Sequence, residues 1–181
     1  MCHAIMKTNR YLLVVLWGLL AGCAAPTKTD VYTYRNDVGR GIDLIMDNEL
    51  ESATDKSCLI WLNASRVRGE TFGGRYYLEV RYEALGTTGW LDIRSGETLN
   101  LSIDGTTHGF RGPGSLNTRR ETGETVVENA IYQTTEEVLR KLARAKQVHV
   151  TIRGKSRIIE RDFRPENTRK FRNFVLTYIG L

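Results

Sequence analysis

Tyr76-Tyr77-Leu78-Glu79-Val80-Arg81-Tyr82-Glu83 is the stretch on which the fold turns. In an extended chain Tyr76, Leu78, Val80 and Tyr82 point one way and Tyr77, Glu79, Arg81 and Glu83 the other, the alternation of a half-buried antiparallel strand. Upstream, Cys58-Leu59-Ile60-Trp61-Leu62 is an apolar run of strand length. Downstream, Thr88 to Ile93 is expected as a short strand after a turn at Gly86. Leu99, Leu101 and Ile103 alternate with Asn100, Ser102 and Asp104, and Asp104-Gly105 is a hairpin signal into Thr107 to Phe110. Together these segments predict a meander. A polar loop from Arg111 to Gly123 interrupts it, and Glu124 to Tyr132 resumes strand character. From Val31 to Leu50 both periods fit: Ile42, Leu44 and Met46 alternate, while Ile42, Ile45, Met46 and Leu50 share a helix face. Gly39 and Gly41 ahead, with the poor helix formers Asp43, Asp47 and Asn48 within, favour strand.

The last third changes period. Thr134-Thr135-Glu136-Glu137 reads as a capping box with Thr134 as N-cap, ahead of the apolar stripe of Val138, Leu139 and Leu142, and this helix is expected to end near Ala145. Val148, Val150 and Ile152 alternate with His149, Thr151 and Arg153, and Gly154-Lys155 turns the chain into a partner strand from Arg157 to Phe163. Pro165 opens a closing helix in which Phe171, Phe174, Val175, Tyr178 and Ile179 form one apolar stripe ahead of Gly180. The fold class that follows is α+β, a largely antiparallel sheet with the two helices of the C-terminal region packed on one face.

The chain opens with Lys7 and Arg10 ahead of an apolar run from Tyr11 to Leu20 that closes on Leu20-Ala21-Gly22-Cys23. A basic start, an apolar core of about 7–15 residues and small residues at its end make a secretory signal. The run is short of the roughly 20 residues needed to span a bilayer. The Leu-Ala-Gly-Cys ending resembles the lipobox of bacterial lipoproteins. That resemblance implies that residues 1–22 are removed, that Cys23 becomes the acylated N-terminus, and that the membrane is held through its lipid. In that family an Asp after the lipidated Cys retains the protein at the inner membrane of many Gram-negative bacteria; Ala24 stands here, which implies the outer membrane. Two or more acyl chains give stable attachment, at about 0.8 kcal/mol per buried CH₂. Residues 23–30 read as a tether. At no more than about 3.3–3.6 Å per residue it reaches about 25 Å, which keeps a single domain of residues 31–181 close to the bilayer.

Removal of the signal leaves 159 residues, enough to bury a core without a disulfide framework. Cys58 is then the one thiol besides Cys23, and its apolar run favours burial over an intermolecular bridge. Charge is unevenly spread. Lys7 and Arg10 leave with the signal, lowering the net charge from +5 to +3; residues 23–133 carry −4 and residues 134–181 carry +7. An exported protein meets phospholipid head groups, lipopolysaccharide and peptidoglycan rather than nucleic acid, so nucleic acid is not an expected partner.

The candidate anion-binding residues are Arg111, Arg119 and Arg120 in the polar loop, Arg140, Lys141 and Arg144 on the first helix, and Arg169, Lys170 and Arg172 on the last. A solvated positive face is the competing account of the same residues. His108, four residues after Asp104, suggests an Asp-His pair able to orient a general base, but both flank an Asp-Gly turn and no Ser occupies a strand-turn-helix elbow. His149 lies on the polar side of its strand, and two scattered histidines with one Cys have no zinc spacing. Glu79 and Glu83 share one, solvated, strand face. The Gly109 to Gly114 loop matches neither a P-loop nor a dinucleotide fingerprint, so neither metal nor cofactor is expected. The functional expectation is a non-enzymatic, membrane-anchored envelope lipoprotein that acts as an interaction or scaffolding module for an envelope protein. Its alternative is a binding module for an anionic envelope polymer, peptidoglycan or lipopolysaccharide, and an envelope hydrolase using His108 and Asp104 comes third.

Overall fold

The computed structural model describes residues 31–35, 41–45, 47–68 and 75–180. The signal, Cys23 and the tether lie outside the described residues. Ten strands and two helices follow in order: β1 Val31–Arg35, β2 Gly41–Ile45, β3 Cys58–Val67, β4 Arg75–Leu85, β5 Gly96–Ile103, β6 Thr106–Gly112, β7 Arg120–Thr122, β8 Thr125–Thr134, α1 Glu136–Arg144, β9 Val148–Arg153, β10 Ile158–Asp162 and α2 Pro165–Tyr178. The class is α+β, as the alternation and the two apolar stripes predict.

β4 behaves as its sequence requires: Leu78, Val80, Tyr82 and Ala84 are buried, and the residues between them are partly exposed. Its neighbours supply matching rows. Ala64–Leu78–Tyr132, Leu62–Val80–Ala130 and Ile60–Tyr82–Glu128 run across β3, β4 and β8, small residues facing large ones. One position breaks the apolar rule, because Glu128 sits in the core row with no exposed surface.

The strands do not form the single sheet expected. They divide into a six-stranded sheet in the order β1-β2-β3-β4-β8-β7 and a four-stranded sheet in the order β10-β9-β5-β6, antiparallel throughout. The break falls after β4, because β5 pairs with β9 and β6 instead of continuing the meander. Thr88 to Ile93, expected as a strand, joins no ladder. Leu91 and Ile93 are buried there, and the N–H groups of Asp92 and Ile93 donate to the Glu128 carboxylate at 2.8 and 3.2 Å, so a side chain satisfies the backbone that a strand partner would have satisfied.

Leu99, Leu101 and Ile103 of β5 pair with Ile152, Val150 and Val148 of β9, and all six are buried. Leu139, Leu142 and Ala143 of α1 and Phe171, Phe174 and Val175 of α2 are buried in the same continuous apolar cluster. Phe163, just after β10, stacks on Phe171 with ring centroids 5.5 Å apart. The helix boundaries depart little from expectation. Thr135, one residue later than the predicted N-cap, accepts from the Val138 N–H, while Ala145 is the C-cap of α1 and Pro165 opens α2. The short β7 is a departure: Gly123, at φ 61°, helps turn it back on β8 inside what reads as loop.

Candidate functional site

Among the described residues, four cations gather around one concavity where α2 begins. β10 delivers Phe163 and Arg164 to Pro165, and buried asparagines hold that junction. Asn167 Oδ1 accepts from the Arg164 N–H at 2.8 Å, and its Nδ2 donates to Asn48 Oδ1 at 3.1 Å and to the Glu49 carbonyl at 2.7 Å. Asn48 in turn donates to the Leu62 carbonyl at 2.6 Å, so the first turn of α2 is fastened to β3. The facing wall is the turn between α1 and β9. Asp104 Oδ1 accepts from the N–H groups of Lys146 and Gln147 at 3.0 and 2.9 Å and holds that turn in place.

Between the two walls is a groove of about 310 Å³ lined by Ala145, Lys146, Phe163, Arg164, Pro165, Thr168, Arg169 and Arg172. Four of these eight are cationic. Arg164 pairs with Glu51, and Arg169 lies 3.7 Å from Glu166. Arg172 Nε donates to the Ala143 carbonyl at 3.2 Å, which orients the guanidinium and leaves its terminal nitrogens without an ion pair among the described residues. Lys146 is exposed and likewise has no carboxylate partner among them. Pro165 has no N–H and the Asn167 N–H bonds the Arg164 carbonyl at 2.9 Å, so the positive charge here is carried mainly by side chains. Guanidinium forks and an ammonium around one concavity suit an oxyanion.

Of the nine cations singled out in the sequence, Arg169 and Arg172 meet in this groove. The others go elsewhere. Lys170 Nζ donates to the Asp47 carbonyl at 2.6 Å. Arg140 bonds Glu136 at 2.9 and 2.6 Å and reaches the Gly180 carbonyl, fastening the end of α2 to α1. Lys141 pairs with Glu137 one turn back at 2.9 Å, and Arg144 is exposed outside the groove. Arg119 turns inward to Asp92 and Glu128 and lies 5.6 Å from the centre of the Trp90 ring. Its hydrogen bond holds the Asp92 carboxyl below the usual range. Arg120 is exposed on β7. Arg111 lines a second, wider concavity of about 620 Å³ at the junction of the two sheets, with Tyr77, Pro113, Ile131 and Gln133. Sequence reading missed Lys146 and Arg164, which follow a helix and a strand rather than lying on a polar helix face.

The Asp104–His108 pair is not formed as a catalytic unit. The Asp104 carboxylate holds the Lys146 turn, and His108 Nε2 is buried without a hydrogen-bond partner among the described residues. His149 instead meets Asp162 at 2.8 Å on the outer face of the four-stranded sheet. The outer face of β4 is half-buried rather than fully solvated: Arg81 pairs with Glu83 at 2.6 Å and lies over Trp61, and burial raises the pKa of Glu79.

Cys58 is a free, buried thiol. Burial, reinforced by the Asp55 charge, raises its pKa, so it is not poised as a thiolate. Asp55 accepts from Ser57 Oγ at 2.6 Å and from Arg161 at 2.7 Å, which together hold its carboxyl far below the ordinary range. Arg161, with its side chain 5% exposed, occupies a core row of β10 and finds its countercharge there.

No group of three or more His, Cys, Asp or Glu among the described residues could hold a metal ion, and no helix among them is long and apolar enough to cross a membrane. Comparison of the chain with protein-family models, with curated proteins and with solved structures finds no match.

Proposed function

We propose that this chain is a lipid-tethered, non-enzymatic module of the cell envelope that holds an anionic envelope polymer, peptidoglycan or lipopolysaccharide, in the basic groove at the start of α2. The observation that carries this reading is the convergence of Lys146, Arg164, Arg169 and Arg172 on one concavity, from two walls, one pinned by the buried Asn48–Asn167 bond and the other by the exposed Asp104 carboxylate. A merely solvated positive face would spread its cations outward, each worth little by itself. The lipobox at Cys23 supplies the address. Residues 23–30 would keep the start of β1 at Val31 within about 25 Å of the bilayer.

The test uses the full lipoprotein in detergent micelles, retained on purified peptidoglycan and on lipopolysaccharide at roughly 0.1 M and 1 M salt, between which the screening length falls from about 10 to about 3 Å. Retention at low salt and release at high salt is expected. Retention that does not change with salt, or none at either, refutes the reading. Mass spectrometry of the same preparation checks the acyl mass on Cys23.

A further inference from the structure

We infer that the groove at the start of α2 takes a terminal phosphate monoester, with Lys146 and Arg172 as its recognition pair; this rests on the anion-binding reading proposed above. Two of the four cations have a carboxylate within reach, Arg164 with Glu51 and Arg169 with Glu166, which Lys170 shares at 3.7 Å. Lys146 and Arg172 are not balanced among the described residues, which leaves two positive charges facing one concavity. A carboxylate brings one negative charge and a phosphodiester brings one. A phosphate monoester brings about 1.5–2 at neutral pH, together with three strong acceptor oxygens.

Geometry points the same way. Arg172 is anchored through Nε on the Ala143 carbonyl, so its remaining nitrogens form a fork of fixed orientation, suited to two oxygens of one phosphorus. Lys146 comes from the opposite wall, on a turn whose backbone Asp104 holds, and supplies a mobile point charge for a third oxygen. At about 310 Å³ the groove has room for one such group, including one carried at the end of a polymer. Such a group reaches the protein either free in solution or as a lipid head group, and both present the same dianion.

The experiment measures binding of methyl phosphate to the full lipoprotein in detergent, by calorimetry, with dimethyl phosphate and acetate as single-charge probes. A second arm repeats the calorimetry in the same detergent with short-chain phosphatidic acid, a monoester, and short-chain phosphatidylglycerol, a diester. Methyl phosphate is expected to bind at least tenfold more tightly than either single-charge probe. Lys146→Ala with Arg172→Ala is expected to weaken it at least tenfold, and Arg153→Ala, on the outer face of β9, to leave it unchanged. Both altered side chains are exposed, so the fold survives their loss. Tighter binding of short-chain phosphatidic acid than of phosphatidylglycerol assigns a lipid source; methyl phosphate binding without it assigns a free one. Equal affinity for mono- and diester, or binding indifferent to the double substitution, overturns the inference. If peptidoglycan and lipopolysaccharide are still retained in a salt-sensitive way, the anion-binding reading survives that failure; if they are not, both fall.

Discussion

Glu128→Gln tests how the polar loop is held. Glu128 is a fully buried carboxylate in a core row of β8. Oε1 accepts from the Asp92 N–H at 2.8 Å; Oε2 accepts from the Ile93 N–H at 3.2 Å and from the Ser115 hydroxyl, and lies 3.7 Å from Arg119 Nε. A glutamine keeps one oxygen. Its better orientation leaves that oxygen on Ile93 and Ser115 and turns the amide NH₂ against the Asp92 N–H. One charge-assisted bond, worth about 1.5–3 kcal/mol, is then lost, and a shielded donor is left without an acceptor at about 1–3 kcal/mol. Arg119 keeps Asp92, which limits the remaining loss. We expect a total of about 3 kcal/mol. With an m-value of about 2 kcal/mol/M, the urea midpoint falls by about 1.5 M. Ser115→Ala alone is expected to cost about 1 kcal/mol, and the double variant less than the sum, because the hydroxyl and the carboxylate share one bond. A midpoint within about 0.3 M of the parent, or strictly additive effects, refutes the account of Glu128 as the clasp that joins the segment after β4 to the loop before β7.

Two further outcomes follow from the geometry. Asp55→Asn is expected to cost about 1–2 kcal/mol at pH 7, reduced from a full charged hydrogen bond because the carboxylate is one-third exposed. Ser57 and Arg161 depress this carboxyl in the folded protein, so its contribution is complete above the unfolded value of about 3.9 and fades as the pH falls below it; melting temperatures of parent and variant should converge toward pH 2 and stay apart at pH 7. Gly112→Ala would place a Cβ 2.8 Å from the Ile131 carbonyl oxygen and 2.9 Å from the buried Tyr132 ring, where neither backbone nor ring can yield, so thermal unfolding should drop by several degrees for about 1–3 kcal/mol. An unchanged melting temperature would mean that β6 is not seated on β8 at the sheet junction.

What the sequence determined by itself is local. The period of two in Tyr76 to Glu83 dictates a strand with one buried face, Pro165 and the aromatic stripe dictate α2, and the apolar run around Cys58 dictates its burial, because side-chain direction in a regular element depends only on spacing. Which sheet a strand joins is not local. β5 leaves the meander for β9, 45 residues or more away in the chain, because pairing is decided by which apolar rows close one core. Glu128 looks like a misplaced polar residue until the backbone of Asp92 and Ile93 is folded against it. The same is true of the cations. Arg119 and Arg172 are chemically alike in sequence, yet one is neutralised by Asp92 and Glu128 and the other faces an open groove, since Coulomb attraction matters over a few ångströms and only the tertiary structure decides which carboxylate comes that close.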